Sequence, residues 1–542
     1  MYSFIRRISS VPYWHAMALL FLPTTFLITS IILKLDAGPS WLWSNMDPDY
    51  WYLFDSLNMV NLNWPQHISH PGTTVQFIGA AMIKLLFPLT SADQINQIIL
   101  ANPEHYLMLI SRVLLSLNVA ALVFIGVAGY LTFKDIIGAM FLQIGPFLSQ
   151  LTFKHSLHVS PEPLLVTVIL VLCGVMILTL RPGQLKNHRN AYAVAFAVIA
   201  GFGMATKITS AGLYLMPLLL LGRIRPIILY CLASIFFMAI FTLPALGSYP
   251  KFFDWVSMIT LSSSYFGTGD QTFIDFLIYF RSLWNVSSRP VFWVTLLVSM
   301  LMIGWLGFKR RDKDLISENT TLALAGLCLA FVVQALIVAK HPAGHYMIPA
   351  LTASAFGFSL LYLLMKALCE PNGKAYQAVR LGFSIFLVVL IGTQGRAIIK
   401  LDRELIGRVN AVQTINETIY ADCAKIYFWP TSNPLYALFL ASWNTEFSFA
   451  EDLQKLYPGQ HIIFITPKGV IRDIVKLRDI QSISNNYPCI YVRGSARFVD
   501  PGVYKLPFSD RVFSKISKMK TCHTGDESIF TWGIDCKIES NR

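Results

Sequence analysis

The sequence predicts an α-helical polytopic membrane protein that carries a small soluble α/β domain towards its C-terminal end. Three observations carry this expectation. Apolar runs long enough to span a bilayer, or nearly so, recur from residue 14 to about residue 395. Only 13% of the 542 residues are charged, where a soluble chain carries roughly a quarter, so lipid replaces water over much of the surface. Beyond residue 398 the apolar runs shorten to strand length and alternate with helical patterns.

The long runs fall at 14–33, 106–132, 136–152, 163–180, 191–206, 208–221, 227–246, 291–308, 321–339, 346–368 and 381–395, about eleven spans in all. The third, fifth and sixth are short. Arg6 and Arg7 precede the first run and no small-residue cleavage site follows it. It therefore reads as a membrane helix with a cytoplasmic N-terminus, not a removed signal. The net charge of +13 does not point to nucleic acid, because the basic residues are not massed on one segment with interleaved aromatics. They punctuate the ends of the spans. Lys134, Arg181, Lys186, Arg189, Arg223, Arg225, Lys309, Arg310, Arg311, Lys313, Lys366, Lys374 and Arg380 all fall in loops on one side. The opposite loops are richer in Asp, Glu and His, which is the expected sign of a cytoplasmic against an external face. An odd number of spans puts the C-terminal segment outside the cytoplasm, so the expected place is a multi-pass inner (plasma) membrane with a periplasmic tail.

The expected domains are a membrane domain, 1–398, and a tail, 399–542. The membrane domain has two long external loops. The loop 35–105 contains a run, 74–89, with the apolar spacing of a helix lying on the membrane surface. The loop 248–290 has aromatics throughout (Tyr249, Phe252, Phe253, Trp255, Tyr265, Phe266, Trp284), as an interfacial segment would. In the tail, 425–429, 461–466 and 489–492 read as buried strands, and 436–443 and 449–456 as helices. Of the eight cysteines, Cys173, Cys231, Cys328 and Cys369 lie in or beside spans and read as packing residues. Cys423, Cys489, Cys522 and Cys536 lie in the tail. Facing an oxidising compartment they suggest disulfides, with three pairings open; no CxxC spacing supports a zinc site instead.

The residues that could carry chemistry cluster on the external side. Asp47-Pro48-Asp49-Tyr50 follows the first span, in a chain where carboxylates are scarce. As local structure it reads as a helix start, with Pro48 the first helical residue. As chemistry it offers a base that could take the proton of an attacking hydroxyl. The same loop holds His67 and His70-Pro71-Gly72-Thr73-Thr74. Lys154, His155, His158 and Glu162 precede the fourth span, and Lys340, His341 and His345 precede the tenth. Singly, each histidine is an ordinary amphipathic interface residue; together with His105 they suit a site that handles phosphate or protons. Lys207, between the fifth and sixth spans, is flanked by apolar sequence and needs either a partner or a route to the interface. Arg112, inside the second span, is in the same position, with Asp47 or Glu162 as its candidate partner. No Walker A, GxGxxG or HExxH motif occurs, so a donor would reach the protein from the membrane.

Taken together these motifs resemble the GT-C class of integral-membrane glycosyltransferases, in particular the protein-mannosyltransferase and aminoarabinose-transferase-like branch. The resemblance covers roughly 14–368. It rests on Asp47-Pro48-Asp49-Tyr50, His70-Pro71-Gly72, Ser160-Pro161-Glu162-Pro163, Ala205-Thr206-Lys207 and Lys340-His341 with His345-Tyr346-Met347-Ile348-Pro349. It implies an inverting transferase that moves a sugar from a polyprenyl-phosphate donor to a lipid, glycan or protein acceptor. Asp47 would be the base, with Asp49 its rival because Pro48 splits the family's acidic pair. Lys207, Lys340 and His341 or His345 would hold the donor phosphate, and His70, Arg112, His158 and Glu162 would line the substrate site. No cofactor is required on this account, although Asp47 and Asp49 with His70 could hold a divalent ion. The tail matches no family domain. The competing expectation is a flippase or transporter of a lipid-linked sugar. It calls for a charged path across the membrane and internal repeats, and neither is seen. An envelope scaffold without catalysis leaves Asp47, Lys207 and Lys340 without a purpose.

Overall fold

The computed structural model of the chain describes residues 12–262, 272–308, 318–369, 373–428, 430–459, 462–466, 470–495 and 520–538; for 43–48, 480, 481 and 484 it describes the helix they belong to and not the side chains. Lys309, Arg310, Arg311 and Lys313 therefore lie outside the described residues, as do Tyr265 and Phe266. Among the described residues eight helices are long and apolar enough to cross a membrane: Tyr13–Asp36, Pro103–Phe133, Pro161–Thr179, Ile224–Leu261, Pro290–Phe308, Glu318–Lys340, Gly344–Cys369 and Gly373–Gln413.

Eight is fewer than the sequence suggests, and the three short runs account for the difference. The run 136–152 breaks into helix Ile136–Gln143, a 3-10 turn Gly145–Leu148 and helix Gln150–Ser156. Pro146 lacks the N–H that would continue the first helix, and the Ser149 hydroxyl accepts from Leu151 N–H to start the next. The run 208–221 is a 3-10 helix, Ile208–Leu215, followed by the short helix Met216–Leu221. The run 191–206 belongs to helix Gln184–Thr206, whose first turns carry Lys186, His188 and Arg189.

The chain divides into two compact units. The first comprises Met1–Ile32, Ile68–Val75 and Ser111–Ile399. At its centre 94% of the apolar stretch of Gly344–Cys369 and 78% of that of Pro161–Thr179 is buried, against 6% for Gly373–Gln413; the last presents Leu381, Ile385, Val388 and Val389 outward, as a lipid-facing helix would. The most extensive pairing joins Gln184–Thr206 to Ile224–Thr242. It depends on Gly201, where an added Cβ would come within 2.7 Å of Met238 N. Asp135 closes one end of the bundle. Its carboxylate accepts from Gly138 N–H at 3.0 Å, Tyr362 OH at 3.0 Å and Lys366 Nζ at 2.8 Å. Burial opposes its ionisation, but the ammonium and the other donors together hold the carboxyl below its usual range.

The second unit comprises Leu33–His67, Gln76–Ile110 and Lys400–Arg542, so the tail shares its unit with most of the loop 35–105. Among the described residues its sheet has six strands: β1 Ala424–Phe428, β2 Ile463–Ile465, β3 Ile471–Arg472, β4 Ile490–Ser495, β5 Lys520–Thr524 and β6 Glu527–Trp532, in the order β3-β2-β1-β4-β6-β5. β1 runs parallel to β2 and β4; the other pairings are antiparallel. Ile426, Ile463, Ile490 and Val492 fill the core. Helix Pro434–Asn444 packs on the first-loop helix Trp43–Val60, and Ala450–Leu456 packs on Ala92–Ala101. Phe54 meets Phe449 edge-on at 5.4 Å, and Tyr457 OH donates to Leu100 O at 2.9 Å. Arg493, 3% exposed, ties strand to strand. Its Nε donates to Glu527 and its Nη1 to Glu417, each at 2.6 Å.

The four tail cysteines form two disulfides, Cys423–Cys489 and Cys522–Cys536, which selects one of the three pairings. The first joins the starts of the parallel strands β1 and β4. Replacing Cys423 and Cys489 together by serine should cost the tail about 2–5 kcal/mol. The check is the urea midpoint of the purified protein, followed by tryptophan fluorescence. An unchanged midpoint would mean that the strand pair closes without its link.

Candidate active site

In the first unit, two of the sequence motifs are stitched together by backbone hydrogen bonds. Helix Gln184–Thr206 stops where Lys207 becomes extended (φ −162°, ψ 112°). Lys207 forms an antiparallel bridge with Pro71. Gly72 N–H donates to Thr206 O at 3.2 Å, and Ile208 N–H donates to His70 O at 3.0 Å. The hydroxyls of Thr74 and Thr206 are 2.8 Å apart. Gly72 has φ +72°, a left-handed conformation that glycine adopts without steric cost. His70-Pro71-Gly72 is thereby clipped in register to Thr206-Lys207-Ile208.

The clip aims Lys207 inward. The residue is 3% exposed, and its ammonium donates to Oε1 of Glu162, which is 4% exposed. Glu162 occupies the first turn of Pro161–Thr179, where proline is tolerated and the helix dipole favours a carboxylate. His345 Nε2 lies 3.8 Å from the same oxygen. Lys207 Nζ stands 4.6 Å from the centroid of the Tyr346 ring, a cation–π distance. The His155 ring lies 5.1 Å from that of His345 and 5.9 Å from that of His158. Burial holds the His155 imidazole well below its ordinary pKa, so it is neutral at pH 7.

Arg289, which the sequence reading passed over, joins the group. An added Cβ at Gly344 would come within 2.6 Å of Arg289 Nη2, so the glycine lets the guanidinium lie against the backbone beside His345. Arg289 Nε is buried without a hydrogen-bond partner among the described residues. The signal was present in the sequence: an arginine immediately before a proline and an apolar span.

Of the other expected residues, His70 lies edge-on to Trp255 with ring centroids 5.9 Å apart. Lys340 and His341, expected at the donor phosphate, lie at the end of a helix. The Lys340 ammonium donates to Thr260 O and stands 4.2 Å from the Phe273 ring centroid; His341 Nε2 is 2.8 Å from Ile259 O. Both hold the last carbonyls of helix Tyr249–Leu261, where the dipole favours cations. Arg112 is exposed; of its two candidate partners, Glu162 accepts from Lys207, and the side chain of Asp47 lies outside the described residues.

The second unit carries the first-loop acids. Helix Trp43–Val60 begins at Trp43, with Leu42 as the residue before it and no side-chain cap. Asp47 and Pro48 thus lie inside the helix and do not start it, which corrects the expected boundary. The reason is tertiary. Glu104 reaches back to accept from Ser40 N–H at 2.7 Å, Trp41 N–H at 3.0 Å and Tyr50 OH at 2.7 Å, and so anchors the entry to the helix from another element. Burial, and next the Glu104 charge, keep the Tyr50 hydroxyl well above its ordinary pKa. Asp49 is fully buried; the side chain of Asp47 lies outside the described residues. A further buried acid on this helix, Asp55, accepts from Gln66 N–H and His67 N–H at 2.8 Å and from Gln76 Nε2 at 3.0 Å. It folds the segment after the helix back onto it. Among the described residues no three His, Cys, Asp or Glu side chains group as a metal site requires.

No protein-family model matches the chain, and no curated protein does. Among solved structures it is similar to the crystal structure of ArnT from Cupriavidus metallidurans bound to undecaprenyl phosphate. The identity is 11%, the likeness spans 94% of this chain and 97% of that one, and the TM-score is 0.45. No residue role is carried over from it.

Lys207→Met should leave the Glu162 carboxylate buried and uncompensated, at a cost of about 3–5 kcal/mol. Adding Glu162→Gln should restore part of the loss. Thermal unfolding of both single variants and the double variant in detergent tests this; additive losses would mean that the two side chains are not coupled.

Proposed function

We propose that this chain is an inverting glycosyltransferase that takes a sugar from a polyprenyl-phosphate carrier at the external face of the inner membrane. The acceptor is a hydroxyl of a lipid, glycan or protein. The observation that carries the reading is the buried Lys207–Glu162 pair with the half-buried guanidinium of Arg289 against Gly344 beside it, two cations to one carboxylate. A cation excess fixed at one place is suited to one task in such a transfer, which is neutralising the phosphate that departs.

The acceptor oxygen attacks the anomeric carbon as the carbon–oxygen bond to the phosphate breaks, with inversion at that carbon. The bonding electrons leave with the phosphate as polyprenyl phosphate. Lys207 shares its N–H donors between Glu162 and the phosphate oxygens, and Arg289 brings a planar fork that matches two of them. Donors fixed in a dry site stabilise the developing charge without reorganising. The acceptor proton goes to a carboxylate of the first-loop helix, Asp47 by preference. Asp49, fully buried, is the weaker choice because an acceptor would have to reach it.

Radiolabelled glycosyl polyprenyl phosphates offered with a membrane extract to the purified chain test the reading. Wild type should transfer label. Asp47→Asn should lose about 10²–10⁴-fold, and Arg289→Gln about 10²–10³-fold, with both variants folded. Asp49→Asn failing while Asp47→Asn works would exchange the two acids. Chelation with EDTA should leave the rate unchanged; a loss would bring a divalent ion into the mechanism. Folded wild type that moves the lipid across vesicles and transfers no sugar would replace the transferase with a carrier.

A further inference from the structure

A second basic site lies elsewhere in the first unit, and it owes nothing to the sugar-transfer reading. Two loops that the charge pattern assigns to the cytoplasmic side meet around a cavity of about 600 Å³. Lys186, His188, Arg189, Arg223 and Arg225 line it, and among the described residues no carboxylate does. Topology explains why basic residues occur in each loop. It does not explain why they face one another. Arg189 and Arg223 are close enough that the Arg223 charge, after burial, pulls the Arg189 guanidinium below its ordinary pKa.

The backbone adds to the same field. Helix Gln184–Thr206 is kinked at His188 (φ −129°, ψ 26°), so its regular part begins at the cavity wall. Helix Ile224–Thr242 begins at the same wall. Neither helix has a capping side chain or an acidic residue in its first turn. The N-terminus of Ile224–Thr242, the positive end of a dipole, thus joins the basic side chains at the wall. Left alone the arrangement is self-repelling. Arg189 relieves little of it, since its Nη1 donates to Leu221 O at 2.8 Å and its charge remains.

We propose that this cavity binds a phosphate-bearing anion. Phosphodiester headgroups of anionic phospholipids and free phosphate share the chemistry it recognises, which is several oxygens facing several N–H donors around one negative centre.

The test uses the full chain purified in mild detergent doped with phosphatidylglycerol or with phosphatidylcholine, with lipid retained per protein measured by mass spectrometry. Lys186→Gln and Arg223→Gln are the variants, singly and together; both residues are exposed, whereas Arg189→Gln would disturb the end of the helix below it. Wild type should retain phosphatidylglycerol preferentially, and each lost charge should lower retention about fivefold. A parallel arm measures the thermal shift produced by inorganic phosphate. A shift that the same variants abolish, without lipid enrichment, supports the site with a soluble phosphate as its ligand. Retention and shift identical in wild type and double variant, with the variant monodisperse, would overturn the proposal. Sugar transfer is not among the readouts, so either idea can fail without the other.

Discussion

A lysine ammonium buried among apolar helices can persist only beside a carboxylate, and the geometry around Lys207 follows from that constraint. The cost of removing two charges from water is recovered only when the ions are close and their remaining donors and acceptors are used. Here the ammonium donates to Glu162 and faces the Tyr346 ring, while His345 stands by the same carboxylate oxygen. Holding a long side chain in that place requires a backbone that cannot drift. The bridge to Pro71, with its two flanking hydrogen bonds, supplies this. The same bridge ends one long helix and fixes a piece of the loop 35–105. One ion pair therefore governs where a helix stops and where a loop begins.

Legibility in the sequence followed the range of the physics involved. Where one segment carries its own signal, the sequence sufficed: the long spans, β1, β2 and β4, and Lys207 as a cation in need of a partner. Glu162 and His345 were also named, and the structure gathers them with Lys207. Where a distant residue decides, local reading failed. Asp47-Pro48-Asp49 looks like a helix start, but Glu104 moves the start to Trp43. That Lys340 and His341 meet the end of helix Tyr249–Leu261 was likewise not readable from their own segment. Arg289 became visible only through its contact at Gly344. One miss was avoidable. Gly525-Asp526 joins β5 to β6 as a two-residue hairpin turn, with Gly525 at φ +54°, and a glycine–aspartate pair between alternating segments is a readable hairpin signal.

The tail resembles a mixed α/β sheet domain, yet much of its apolar surface is spent on helices that come from the other end of the chain. Pro434–Asn444 and Ala450–Leu456 cover Trp43–Val60 and Ala92–Ala101, and Asn444 Nδ2 lies 3.3 Å from His67 Nδ1. The tail is in this sense the buttress of the acidic helix. Within the sheet, the Arg493 network and the two disulfides add to an apolar core.

That buttress has a consequence for how the protein comes into being. The segments Leu33–His67 and Gln76–Ile110 share their unit with Lys400–Arg542, and all of Ser111–Ile399 is made in between. A ribosome adds on the order of 5–20 residues per second, so the acidic helix waits roughly tens of seconds for its partner. During that wait its apolar face has nothing from the tail to cover it, and the long gap in sequence makes the eventual closure slow. The helix that bears Asp47 is thus made long before the segment that seats it.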